Sequence, residues 1–343
     1  MVKFEIKKIV SRLVDNLSDR SKDIILSRFG IGKDDYETLE AIGQRYGITR
    51  ERVRQIEADA LRHIKSPTNE MVIKPVVTAL GEFIKSRGGV MDETELKADF
   101  AANHFETKPE SSQKYEGAAM FFLNLAGSFV RTKEDDNFWP RWAVDNTHLK
   151  NQEALVAHLT GQLKKEKKVV NLEELVGWAK KQNSSLNKDA ALAYLTSAKN
   201  ISKNSFGEWG MVSWAEISPR GVRDKAYMVM KRYQKPMHFT EVATEINQAN
   251  FSQRVALPQT VHNELIKDER FVLVGRGLYA LKDWGYEAGT VKDVIKSVLS
   301  ANGPLTREEV IKQVLAKRVV KPSTIILNLN SFKKKEGNKY HLA

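Results

Sequence analysis

The chain is 343 residues long, more than one hydrophobic core ordinarily serves, so several small domains suit it better than one large one. Its 55 Lys and Arg outnumber 43 Asp and Glu, giving a formal charge of +12 that favours polyanionic partners without naming one. With no cysteine, disulfides, thiolate zinc sites and cysteine nucleophiles are excluded. The opening MVKFEIKKIVSRLVDNL alternates charged with apolar residues and reads as neither a signal peptide nor a membrane span, so a soluble cytoplasmic protein is expected.

In chain order, Ser18 is placed to cap a helix whose apolar positions Ile24, Ile25, Leu26 and Phe29 lead to Gly30, a helix stop. A second helix is predicted from Thr38, with Leu39, Ile42 and Tyr46 at helical spacing, and Gly47 supplies the permissive backbone of a tight turn. Thr49 then caps a third helix that would bury Val53, Ile56, Ala60 and Ile64. Such burial turns Arg50, Glu51, Arg54 and Gln55 to solvent near the helix start, the end that a helix-turn-helix pushes into the major groove. There Arg reads guanine, Glu accepts from cytosine and Gln pairs with adenine. From spacing alone, a solvated mixed-charge face with Arg and Glu supporting each other remains the alternative.

The words RFGI and YETLEAIGQRYGITRERVRQIEADALRHIKSP resemble region 4 of the bacterial sigma-70 family, over about residues 9–70. That region recognises the upstream (minus-35) promoter element and docks on the flap of the RNA polymerase β subunit. The resemblance implies base-reading roles for Arg50, Glu51 and Gln55, and phosphate contacts for Thr38, Arg52 and Arg54. Asp59 departs from the family, whose members usually carry a basic residue there. No aromatic-rich region 2 is recognisable, so the chain is not expected to melt a promoter unaided.

Beyond KSPTNE, helical stretches alternate with short hairpin endings at 127–144, 200–214, 270–284 and 331–343. Each reads as a two-stranded wing, with a Trp or Tyr more plausible as a peg fixing the wing to its helices than as a base-stacking platform. The predicted fold is therefore mainly α: a helix-turn-helix domain (1–70) followed by about four tandem winged-helix domains (71–146, 147–216, 217–287 and 288–343). Short linkers are expected at 65–70, 145–151, 216–221 and 285–289. The stretch 218–284, with PMHFTEVATEI, QTVHNELIKD and RFVLVGRGLYAL, resembles the HARE-HTH family, the winged-helix type also seen in the δ subunit of some bacterial RNA polymerases. The last module echoes its helix spacing.

Possible secondary DNA contacts in these modules are Gln259, Thr260, His262 and Asn263 on a presumed recognition helix, Arg276 at a wing tip, and Lys321, Ser323 and Thr324 in the last module. Lysine runs at 164–168 and 333–335 would either touch phosphates or form solvated faces. The seven histidines show no paired-ligand spacing, and His238 suits a capping role before a helix. Asp34–Asp35 and Asp135–Asp136 fall in predicted turns, where Asp bonds its own backbone. No nucleophile elbow, phosphate loop or dinucleotide fingerprint is present, so no catalytic residue, cofactor, metal or small-molecule substrate is expected. The expected function is a sequence-specific double-stranded DNA-binding transcription factor that also contacts RNA polymerase. The alternatives are a polymerase-bound accessory protein with secondary DNA binding, or the DNA-sensing component of a restriction or phage-defence system.

Overall fold

A computed structural model of the chain describes residues 3–33, 35–106, 113–184, 186–335 and 338–342. It divides into two compact units, Met1–Ser202 and Lys203–Ala343. The first opens with α1 (Ile6–Val14), α2 (Asp19–Phe29), α3 (Leu39–Tyr46) and α4 (Arg50–Ile64). The caps expected from sequence are in place: the Ser18 side chain accepts from the Ser21 N–H, and Gly30 ends α2 in the left-handed region at φ +66°.

After one 3-10 turn at Pro67–Asn69 come α5 (Glu70–Ser86), β1 (Val90–Asp92), α6 (Glu93–His104), α7 (Glu116–Ala126), β2 (Val130–Thr132) and β3 (Arg141–Ala143). Their strands form an antiparallel sheet in the order β1-β3-β2, with Trp142 opposite both Met91 and Arg131. The next module supplies α8 (Asn146–Glu166), α9 (Leu172–Gln182), α10 (Lys188–Thr196) and β4 (Ile201–Lys203).

The second unit holds β5 (Trp209–Met211), α11 (Val222–Tyr233), β6 (Met237–His238), α12 (Phe239–Gln248), α13 (Pro258–Lys267), β7 (Phe271–Gly275) and β8 (Leu278–Leu281). These form a three-stranded sheet, β6-β8-β7, over three helices. Last come α14 (Val291–Asn302), α15 (Arg307–Lys317), α16 (Pro322–Leu329) and the hairpin β9 (Lys333–Lys335) with β10 (Lys339–His341). The protein is thus mainly helical with small antiparallel strand pairs, as a chain of helix-turn-helix and winged-helix modules requires.

The aromatic of each wing is a peg: Trp142, Trp209, Tyr279 and Tyr340 are all buried. None presents a face for base stacking. At the N-terminal end the packing has two levels. A small core of Ile24, Ile42 and Val53, flanked by Leu39, Tyr46, Ile48 and Ile56, holds α2, α3 and the start of α4 together. A much larger core joins Ile6, Val10, Leu13, Ile25, Ala60 and Ile64 to Leu80, Ile84, Phe100, Phe121 and Phe122 of the following module. Each such side chain removed from water contributes roughly 1.5–3 kcal/mol, so most of the burial that fixes α1, α2 and the end of α4 comes from residues beyond position 70.

Candidate nucleic-acid interface

The geometry of α3 and α4 follows from local chemistry. Thr38 caps α3 by accepting from the Ala41 N–H at 3.1 Å, and Gly47 ends it at φ +63°. Two residues later Thr49 caps α4, accepting from the Arg52 N–H at 3.2 Å. The crossing is tight because position 43 has no side chain: a Cβ there would lie 2.7 Å from the Ile48 carbonyl oxygen. Sequence reading passed over Gly43; its signal was a glycine inside a short helix, where propensity disfavours it.

A polar network locks α3 onto α2. Arg45 donates from Nη1 to Asp23 Oδ2 at 2.6 Å and from Nε to Glu37 at 3.1 Å, and the Tyr46 hydroxyl donates to Asp23 at 2.8 Å. Lys33 reaches both Asp23, at 3.2 Å, and the Ser27 hydroxyl. Partial burial works to raise the Asp23 pKa, but the hydrogen bonds from Arg45, Tyr46 and Lys33 outweigh it and hold the carboxyl down at about 2.

Along α4, Val53, Ala60 and Ile64 are buried and Ile56 is half-buried, while Arg50, Glu51, Arg52, Arg54 and Gln55 are exposed. Two pairs tie the exposed side chains together. Arg54 donates two hydrogen bonds to the Glu51 carboxylate, at 2.6 and 2.9 Å, and Arg52 donates to Gln55 Oε1 at 3.1 Å. The Arg54 hydrogen bond holds the Glu51 carboxyl below its ordinary range. Pairs this exposed are worth about 0–1 kcal/mol, less than the roughly 1–3 kcal/mol of a good base contact, so a duplex can recruit their members at little cost. Thr38 is exposed, and its hydroxyl retains a donor after capping. Asp59 is answered by Arg62 at 3.1 Å, so the acidic departure at this position is neutralised locally.

Residues 13–66 match the family model of sigma-70, region 4. Residues 221–284 match that of HARE-HTH, the helix-turn-helix domain whose description names ASXL and restriction endonuclease. The chain is 39% identical over 72 residues to an RNA polymerase sigma factor SigA of Nostoc sp., a stretch covering 21% of this chain and 18% of the relative. It is 38% identical over 72 residues to the SigA of Microcystis aeruginosa, covering 21% and 17%, and 39% identical over 69 residues to that of Listeria monocytogenes, covering 20% and 18%. This chain therefore spans less than a fifth of the length of those sigma factors. The family-model match at residues 13–66 takes in α3 and α4.

The other predicted contacts are spread over both units. On α13, Gln259, Thr260 and Asn263 are exposed, whereas His262 is half-buried, its ring stacked on Phe239 at 4.4 Å and edge-on to Tyr279 at 5.9 Å. Arg276 is exposed at the β7–β8 turn; Lys321 and Ser323 are exposed and Thr324 is half-buried at the start of α16. Lys164, Lys165, Lys167 and Lys168 are exposed, the last paired with Glu174 at 3.2 Å, and Lys333 and Lys334 are exposed on the terminal wing.

His238 is a cap, its ring accepting from the Thr240 N–H. Asp135 accepts from the Asn137 and Phe138 N–H groups, as expected of a turn aspartate, while Asp34 lies outside the described residues. Among the described residues no group of three or more His, Asp or Glu could hold a metal ion, and no helix is long and apolar enough to cross a membrane.

Sequence reading missed how the third helices of the first two winged-helix modules are used. On α7, six of eleven residues are buried, from Ala118 to Leu125. Its first turn lies so close to the end of α2 that a Cβ on Gly117 would come within 1.6 Å of the Phe29 carbonyl oxygen, while Phe121 meets Phe29 edge to face at 5.5 Å. On α10, five of nine residues are buried. Its Tyr194 hydroxyl donates to the Gly88 carbonyl at 2.5 Å, and Thr196 donates to Glu95 at 2.7 Å. Each of these helices packs onto the preceding module.

Proposed function

We propose that the protein is a sequence-specific double-stranded DNA-binding transcription factor of sigma region 4 type, which reads a minus-35-like element through the major groove. The observation that carries this reading is the joint exposure of Arg50, Glu51, Arg54 and Gln55 on the leading turns of a helix whose back is sealed by Val53, Ala60 and Ile64. Arg50, Glu51 and Gln55 read base edges; Thr38, Arg52 and Arg54 hold phosphates. The protein contacts bacterial RNA polymerase through its flap and works in the cytoplasm on nucleoid DNA. It carries no catalytic residue and does not open a promoter by itself. Gln259, Thr260, His262, Asn263, Arg276, Lys321, Ser323 and Thr324 are the candidate secondary DNA contacts.

A second reading, a polymerase-bound accessory protein with DNA reading secondary, is favoured by one observation: α7 and α10 each also pack on the preceding module, through Gly117 and Phe121 on Phe29 and through Tyr194 on Gly88. Selection of bound duplexes from a random pool, by the pure protein with and without polymerase, separates the two. An enriched motif recovered by the protein alone supports the first reading. No motif without polymerase, together with stoichiometric co-purification, supports the second and overturns the first.

A further inference from the structure

Within the first unit, a cavity of about 440 Å³ opens where the end of α2 and the middle of α4 meet α6, α7 and the β2–β3 wing. Its charges are unevenly matched. Arg131 is fully engaged with Glu93, donating from Nε at 2.6 Å and Nη2 at 2.9 Å, and the Trp142 indole N–H donates to the same carboxylate at 2.8 Å. That pair is closed. Arg28 is not: Glu57 stands 3.7 Å away, beyond a hydrogen bond, and the Arg28 Nε is buried without an acceptor among the described residues. Lys97 is half-buried, and its charge favours the Asp92 and Glu93 carboxylates without a direct hydrogen bond to either among the described residues.

A buried donor with no acceptor costs about 1–3 kcal/mol, so a space that leaves one cation under-satisfied and another without a direct hydrogen bond to its nearby carboxylates is suited to an anion. Burial pushes the Glu57 carboxyl up, against the pull of Arg28 and Arg54. The rest of the wall is aromatic. Phe29 and Trp142 border the cavity, and Tyr36 stands at its mouth, 58% exposed, an open surface on which a planar ring can stack. The volume falls in the range of small-ligand pockets, roughly 300–1,000 Å³, and is too small for a folded partner.

We propose that this cavity binds a free purine nucleoside phosphate, its base against Tyr36 and Phe29 and its phosphate on Lys97 and Arg28. Neither cation is among the side chains assigned to DNA. Arg28 and Lys97 neutralise the phosphate, and the Glu57 carboxyl and the Asn124 amide, both at the cavity, offer polar edges to the base. Glu57 lies on α4, so occupancy reaches the helix that carries Arg50, Glu51 and Gln55. Any effect on DNA affinity rests on the base-reading assignment, whereas nucleotide binding does not.

Titration calorimetry of the full chain with ADP and GDP, with adenosine and inorganic phosphate as controls, tests the assignment. The diphosphates should bind with micromolar dissociation constants, each control at least about tenfold more weakly, and Lys97→Glu should cost at least about tenfold. Because Lys97 favours the Asp92 and Glu93 carboxylates, its variant should keep the wild-type circular dichroism and melt only slightly lower. Thr94→Trp, which fills the cavity from an exposed position, should abolish binding by a second route. The Arg50→Ala variant should bind ADP as the wild type does, so failure of the DNA reading and failure of this one are separable. No binding at millimolar nucleotide, phosphate binding as tightly as ADP, unchanged affinity in both cavity variants, or displacement of ADP by a short duplex would overturn the assignment.

Discussion

The third helix of a winged-helix module is put to opposite uses in the two units. In the first, α7 and α10 bury six of eleven and five of nine residues, each helix packing on its own module and also on the preceding one. In the second, α13 and α16 fully bury only Val261 with Leu265, and Ile325 with Leu329, and leave most of the rest half-buried or exposed. One fold therefore serves as mortar in one half and as a displayed surface in the other, and composition decides which. α7 reads EGAAMFFLNLA, with no cation, whereas α13 opens Pro-Gln-Thr and carries Asn263 on its free face. In the first unit the displayed surface falls to α4, whose N-terminal end carries exposed Arg50, Glu51, Arg52, Arg54 and Gln55.

The sharpest way to break this contrast is Gly117→Ala, because the new methyl group would collide with backbone rather than with a movable side chain. It should cost roughly 3 kcal/mol or more, while Thr260→Val on exposed α13 should stay within about 0.5 kcal/mol. Hydrogen exchange, which resolves the modules separately, checks both; equal protection in the two variants would erase the distinction.

Next in size is the α2–α3 lock. The Asp23 carboxyl is held at about 2 against an ordinary 3.8, so its folded pKa is depressed. Its contribution is present above pH 3.8 and is lost as pH falls through about 2. Since the network is partly solvated, it is worth on the order of 1–2 kcal/mol. Asp23→Asn should lose that stability at neutral pH and flatten the acid limb of the helix-turn-helix unfolding curve. An acid limb as steep as the wild type's would show that other groups carry it.

Smaller effects sharpen the contrast between displayed surfaces. Asn263→Ala on α13 should weaken DNA binding by about 1 kcal/mol or less if this helix extends the contact, with a footprint shortened on one side. Replacing Lys164 and Lys165 together should leave the ranking of DNA sites unchanged and reduce the salt slope by about 0.9 for every phosphate that these lysines neutralise. An unchanged salt slope would mark these exposed lysines as a solvated face.

Much of this molecule is written locally. Ser18, Thr38 and Thr49 announce helix starts because their side chains satisfy N–H groups within three residues, and Gly30 and Gly47 announce helix ends through backbone freedom. The wing pegs were legible for the same reason, since an aromatic beside a turn has few places to go. The fate of α7 and α10 was not. Whether an apolar helix faces its own module or a neighbour depends on contacts between residues far apart in sequence, such as Phe29 with Phe121 and Tyr194 with Gly88. At the candidate site, the exposed row of α4 could be read from its period, but the lock formed by Asp23, Arg45 and Tyr46 could not. It joins residues 22 and 23 positions apart, and no spacing rule connects them.

The central claim, that the leading turns of α4 read bases, is tested most directly by comparing duplexes selected by the wild type and by Arg50→Ala. The variant should lose preference at a single base position, worth about 1–3 kcal/mol, while the other positions keep their ranking. An identical motif and ranking from both proteins would contradict it.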